Sequence, residues 1–217
     1  MQKLFLVHTP KCGGKSFREG LKEAFGDELR LQYSNPLKRV WLGRLRELIK
    51  PVRRSEIAGK RVVYGHYSFD RYRKVHRQAN VSRGMFFRDP LTLMCSHYFY
   101  QKEKVAGRVE EGFMEFVSQT PQRKFYSSFL GNTRVEELDF VGLFEDYPRS
   151  LRLFSETFQV DIEEHRRNET KARPTDYQQF LEENDFTDPL REQMRENIAI
   201  YDRAKTRYLE LCDAAKV

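Results

Sequence analysis

Within its first seventeen residues the chain passes from an apolar run into a turn rich in glycine and lysine and then into a helical pattern: Phe5-Leu6-Val7-His8-Thr9-Pro10-Lys11-Cys12-Gly13-Gly14-Lys15-Ser16-Phe17. No other stretch constrains the fold as much. Two adjacent glycines let backbone N–H groups turn toward an anion, and the helix that follows offers unpaired N–H groups and the positive end of its dipole. Lys11 and Lys15 add full charges. The segment reads as a phosphate-binding loop after the first strand of an α/β fold, with a P-loop-like central parallel sheet flanked by helices.

Gly14-Lys15-Ser16 supplies the second half of the Walker A pattern, but Thr9 stands where its first glycine belongs and Pro10 stiffens the turn. Such a loop is poorly shaped to wrap a triphosphate. An ATP-dependent P-loop kinase is therefore disfavoured and is kept as an alternative.

Two further segments share this organisation. Ser82 to Phe87 reads as a short buried strand ending at Arg88, with Asp89 as N-cap and Pro90 at the first helical position, so that Ser96 falls about two turns into the helix. An arginine at a strand end and a hydroxyl on the next helix can grip one phosphate, the guanidinium giving paired bonds and the serine a further donor. Arg61 to Phe69 reads as another short strand, ending in Gly65-His66. Three strands thus end in polar residues suited to chemistry, at Lys11, His66 and Arg88, and in an open parallel sheet ligands bind past the carboxyl ends of the strands.

The segment Pro10-Lys11-Cys12-Gly13-Gly14-Lys15-Ser16-Phe17 resembles the Pro-Lys-Thr-Gly-Gly-Thr-Ser loop of sulfotransferases that use 3′-phosphoadenosine 5′-phosphosulfate, especially carbohydrate enzymes of the heparan sulfate 2-O/6-O type. Cys12 and Lys15 replace two of the family's threonines. Arg88-Asp89-Pro90, Ser96, Tyr98 and Tyr100 resemble the segment that holds the cofactor's 3′-phosphate in that family. Gly65-His66 with its following aromatic resembles the catalytic-base segment of the 2-O type, and Val141-Gly142-Leu143-Phe144-Glu145 resembles the family's Val-Gly-Leu-Thr-Glu strand end. The resemblance implies His66 as general base and Lys11 as the cation that meets charge on the leaving phosphate. It implies Lys11, Cys12, Gly13, Gly14, Lys15, Ser16 and Phe17 around the 5′-phosphosulfate, and Arg88 with Ser96 on the 3′-phosphate. The polar loop from His165 to Thr175 lies where related enzymes fold over the nucleotide, and its Arg167, Thr170, Lys171 and Arg173 are the expected contacts. No metal is implied. The acceptor is expected to be a hydroxyl of an acidic or neutral glycan or a glycolipid.

With 217 residues, 39% of them hydrophobic, the chain can bury one full core, and a single domain over 1–217 is expected. No apolar run approaches the ~20 residues of a membrane span. No signal peptide or anchor is legible, so a cytoplasmic location is expected. Cys12, Cys95 and Cys212 are odd in number and lack Cys-x-x-Cys spacing, which argues against a disulfide framework or a zinc site. Cys12, among cationic and N–H groups, is read as a small residue filling the loop rather than a nucleophile. A net charge of +7 suits polyanionic partners. The basic stretch from Leu37 to Lys60, with Trp41 and a helical look, fits a glycan-facing wall or a solvated face equally, and no nucleic-acid module accompanies it. A polyanion-binding module without catalysis is the second alternative.

Farther on, Phe125 to Gly131 reads as an aromatic turn on the substrate side, and Leu138 to Phe144 as a buried strand. A helix from Asp146 and Pro148 runs through Phe158, and helices over 175–184 and 188–211 close the chain. Glu145 is read either as an acceptor contact or as a cap.

Overall fold

The computed structural model describes residues 2–33, 57–76, 80–104, 112–119, 125–163 and 176–217. Its strands are β1 (Lys3–Val7), β2 (Leu29–Tyr33), β3 (Val62–His66), β4 (Val81–Phe87) and β5 (Phe140–Leu143). Every pairing is parallel, and the five strands lie in the order β2-β3-β1-β4-β5. β1 and β5 are short continuous apolar runs because helices cover both faces, whereas β2 is an edge strand with only partial burial.

The helices are α1 (Gly14–Phe25), α2 (Arg73–His76), α3 (Pro90–Lys104), α4 (Phe113–Gln119), α5 (Phe125–Leu130), α6 (Tyr147–Phe158), α7 (Tyr177–Glu183) and α8 (Thr187–Ala215). α1 buries Phe17, Leu21 and Phe25, a stripe at helical spacing that lays it on the sheet. Phe17 is ringed by Phe86, Phe140 and Phe154, with centroids 5.0, 6.4 and 5.0 Å away. Truncating such a side chain costs about 3–5 kcal/mol. A second apolar cluster joins Met94 and Tyr98 of α3 to Phe113 and Phe116 of α4 and to Leu190 and Met194 of α8, so one α/β unit holds both.

α8 is 29 residues long. Its buried row, Leu190, Met194, Asn197, Tyr201, Ala204, Tyr208 and Cys212, repeats every three or four residues, and three of its members carry polar tips. Asn197 Oδ1 accepts from Tyr126 N at 3.0 Å, Tyr201 donates to Glu145 at 2.9 Å, and Tyr208 donates to Asp146 at 2.9 Å. The long helix therefore braces the loop after β5 and the helix α5 beside it.

Most strand and helix readings match within a residue or two. Phe125 to Leu130 is a correction: it is a short helix rather than a turn, and its Tyr126 is fully buried. β2 went unread in the sequence. The basic stretch from Leu37 lies outside the described residues up to 56, but Lys60 at its end donates to the Asp27 carbonyl at 2.6 Å. Among the described residues no helix is long and apolar enough to cross a membrane.

Candidate active site

The path from β1 leads toward β2 and β3, and the path from β4 leads toward β5, so the carboxyl ends of β1 and β4 form the point where the winding reverses. The loop after β1 sits there. Lys11 and Gly13 both adopt left-handed backbone, with φ of 67° and 76°. A lysine in that conformation costs about 1–2 kcal/mol, so the turn is held by its surroundings. Arg88 supplies part of the hold, its Nη1 donating to the Lys11 carbonyl at 3.0 Å.

Gly13 ends the loop and begins α1 with no side-chain cap. A Cβ on Gly13 would come within 2.9 Å of the Tyr147 ring, and one on Gly14 would meet the His8 ring at 2.0 Å. Both positions require glycine. Cys12 and Phe17 turn their side chains into the core, and their backbone N–H groups bond the carbonyls of Thr9 and Gly13 at 3.3 Å each. The Ser16 N–H also bonds the Gly13 carbonyl, at 3.1 Å. Burial pushes the Cys12 thiol well above its ordinary range, in keeping with a space-filling residue rather than a nucleophile. Ser16 is buried in the first turn of α1, and Lys15 is exposed beside it. Lys11 Nζ lies 4.1 Å from the centre of the Tyr100 ring, over its face.

The β4 end is built as its sequence implied. Asp89 Oδ1 accepts from the N–H groups of Leu91 and Thr92 at 3.1 and 2.9 Å, capping α3. Arg88 is only 6% exposed. Its Nε donates to Thr92 Oγ1 at 3.2 Å, and its guanidinium lies 4.2 Å from the Phe144 ring centre and 5.7 Å from that of Tyr177. Tyr126 clamps the Arg88 backbone at both ends: its hydroxyl donates to the Arg88 carbonyl and accepts from Arg88 N–H at 3.0 Å. Ser96 is buried in the second turn of α3. Glu145 ties the β4 end to α8: its two oxygens accept from Asp89 N–H at 2.8 Å and from the Tyr201 hydroxyl at 2.9 Å.

On the other side of β1, the pairing of β2 with β3 sets Tyr33 opposite His66, and His8 follows the end of β1. His66 Nδ1 lies 2.7 Å from the His8 carbonyl. A carbonyl only accepts, so Nδ1 carries the proton and the lone pair of the neutral ring is on Nε2. The His8 ring stacks on His66 with centroids 4.4 Å apart and on Tyr64 at 5.2 Å, and its Nδ1 shares a 2.8 Å hydrogen bond with the Tyr33 hydroxyl. Burial, assisted by the nearby His66, Arg18 and Lys15, holds His8 well below the ordinary imidazole pKa, so this ring is neutral. Burial likewise pushes the Tyr33 phenol up to about 12.

His8, Tyr33, Thr92 and Tyr126 escaped the sequence reading. The signal for His8 and Tyr33 was their place at strand ends, legible only once β2 is placed. Arg167, Thr170, Lys171 and Arg173 lie outside the described residues.

The described residues suit an anionic ligand. The loop has two positions where any side chain would clash, an uncapped helix start, two lysines at its rim, and a buried Thr9 hydroxyl with no hydrogen-bond partner. Among the described residues no group of three or more His, Cys, Asp or Glu side chains could hold a metal.

No protein-family model matches the chain, and no curated protein matches it. Among solved structures it is similar to a sulfotransferase from Alicyclobacillus acidocaldarius, with 16% identity over 92% of this chain and 96% of that one and a TM-score of 0.43. It is also similar to mouse sulfotransferase SULT7A1 complexed with PAP, with 15% identity over 75% of this chain and 60% of that one and a TM-score of 0.47.

Proposed function

We infer that the chain is a sulfotransferase acting on an acceptor hydroxyl, of a carbohydrate or glycolipid, with 3′-phosphoadenosine 5′-phosphosulfate as donor. The observation that carries this reading is the bond from His66 Nδ1 to the His8 carbonyl, which reserves Nε2 of a strand-end histidine for accepting a proton beside an anion loop. The bound donor would supply the sulfuryl group and leave as adenosine 3′,5′-bisphosphate.

His66 Nε2 takes the hydroxyl proton as the acceptor oxygen bonds to sulfur, and the bond from sulfur to the phosphate oxygen breaks. Lys11 meets the charge that grows on that phosphate. Gly13, Gly14 and Lys15 hold the 5′ end through backbone N–H groups and an ammonium, and Ser16 adds its hydroxyl. Arg88, with Ser96, reads the 3′-phosphate. Cys12 and Phe17 shape the loop from beneath. Arg167, Thr170, Lys171 and Arg173 are proposed to close over the nucleotide.

A metal-free thermal-shift titration tests the nucleotide. Adenosine 3′,5′-bisphosphate is expected to stabilise the protein, by about 2.7 kcal/mol at a hundred times its Kd, and ATP with Mg²⁺ at the same concentration is expected to do less. Stabilisation by ATP with Mg²⁺ alone would replace this reading with a kinase.

A further inference from the structure

His8 has no part in the chemistry above, yet its ring lies between the proposed base and the start of α1. One face stacks on His66 at 4.4 Å with the planes 23° apart. Tyr64 stacks on it at 5.2 Å, and Tyr33 stands edge-on to both histidines, at 5.6 Å from His8 and 5.0 Å from His66. The edge of the ring that carries Cδ2 and Nε2 lies where a Cβ of residue 14 would be, 2.0 Å from that point. The Tyr64 hydroxyl, in turn, donates to the Gly14 carbonyl at 2.8 Å. The ring is 8% exposed and fills the space between the first turn of α1 and the base.

We propose that His8 is a positioning residue: its ring, pinned by the Tyr33 hydroxyl and by the bare surface of Gly14, fixes the plane of His66, so that the anion loop and the general base keep one geometry. The proposal rests on His66 being the base. Two constraints then act on that ring. The hydrogen bond to the His8 carbonyl holds Nδ1, and the stacked face of His8 holds the plane of the ring. A base must stay within hydrogen-bond reach of the proton it takes, and a displacement of ~1 Å at such a site can cost ~10²-fold in rate. The groups facing His8 are Lys15 and Arg18 from α1, Tyr33 from β2, and Tyr64 and His66 from β3. None is a carboxylate. With no carboxylate facing it among the described residues, the ring serves by shape and by one neutral hydrogen bond.

The roles separate in a series of His8→Phe, His8→Ala and Tyr33→Phe proteins, each measured in three ways: turnover and KM for sulfuryl transfer, affinity for adenosine 3′,5′-bisphosphate by calorimetry, and ¹⁵N-histidine NMR of His66 across pH. His8→Ala removes the face and is expected to lower kcat by ~10–10²-fold with little change in donor KM. His8→Phe keeps the face and should recover most of that loss. Tyr33→Phe loosens the ring without removing it and should fall between. By NMR, the His66 titration midpoint should move in His8→Ala, where water reaches the exposed face of the base, and stay in His8→Phe.

A His8→Ala protein with wild-type kcat and an unmoved His66 titration overturns the positioning role. Should that variant fail to fold, a Tyr33→Phe protein matching wild type in both kcat and the His66 titration overturns it instead. A His66→Ala protein at the wild-type rate removes the base reading itself, whatever the His8 series does, so the two failures are told apart.

Discussion

On the β3 side of the crevice the polar groups are locked by rings and backbone. His66 is tied to a carbonyl and stacked on His8, and His8 is bonded to Tyr33 and wedged against Gly14. On the β4 side the cations rest on aromatic rings, a hydroxyl and a carbonyl. Lys11 lies over the Tyr100 ring, and Arg88 spends two nitrogens on the Lys11 carbonyl and the Thr92 hydroxyl. A cation over an aromatic face gains ~0.5–2 kcal/mol, less than it gains from a phosphate oxygen at short range. The side proposed to handle the proton is thus held by rings and backbone, and the side proposed to bind charge is parked.

His66 separates the two sides most sharply. If the locked side carries the chemistry, His66→Ala should lower turnover by ~10²–10⁴-fold, the usual contribution of a positioned acid–base group, and leave bisphosphate affinity nearly unchanged. His66→Asn should be as poor, because an amide keeps polarity and size but takes no proton. The measurement is steady-state transfer from labelled donor alongside calorimetry. An effect on affinity as large as that on turnover would mean that the two sides are not separate.

A smaller effect is expected at Arg88, and there the parked side can be dissected. As a phosphate ligand, Arg88 would distinguish adenosine 3′,5′-bisphosphate from 5′-AMP, and each lost charge-assisted bond is worth ~1.5–3 kcal/mol. As a brace for the left-handed Lys11, it supports both nucleotides alike. Arg88→Ala should therefore weaken the bisphosphate more than 5′-AMP, with a common loss underneath from the slackened loop. Equal losses for the two nucleotides would leave Arg88 the brace alone.

What was legible in the sequence follows the same division. The parked side is local: strand end, N-cap and helix start are contiguous from Val81 to Ser96, and Asp89 and Pro90 mark the boundary by chemistry that acts within three residues. The first loop is likewise one continuous segment. The locked side is assembled from three strands far apart in the chain, and one of them, Leu29–Tyr33, is a short edge strand with a charged residue inside it. Without β2 in place, nothing brings Tyr33 to His8. Tyr126 was missed because a six-residue helix is too short for a periodic signal, and its role depends on Asn197, seventy-one residues away.

The smallest expected effect tests whether the locked side is locked in the folded state by neutral rings. Burial, then the nearby His66, Arg18 and Lys15, depress the His8 pKa on folding, while in the unfolded chain it returns to about 6.5. A depressed histidine binds its proton more readily when unfolded, so its contribution is fully present above pH 6.5 and is lost as the pH falls toward the folded value. The slope is about 1.4 kcal/mol per pH unit in that window. Between pH 7 and pH 5, where carboxylates still contribute little, His8 should cost the wild type up to about 2 kcal/mol of unfolding free energy. His8→Phe has no such proton to bind, so its stability should fall less over the same interval, even if it starts lower at pH 7 for want of the Tyr33 bond. Urea unfolding at pH 7, 6 and 5 measures both slopes. Parallel slopes would mean that His8 is charged in the folded protein, and the stacked pair would then be a site of repulsion rather than a fixed wall for the base.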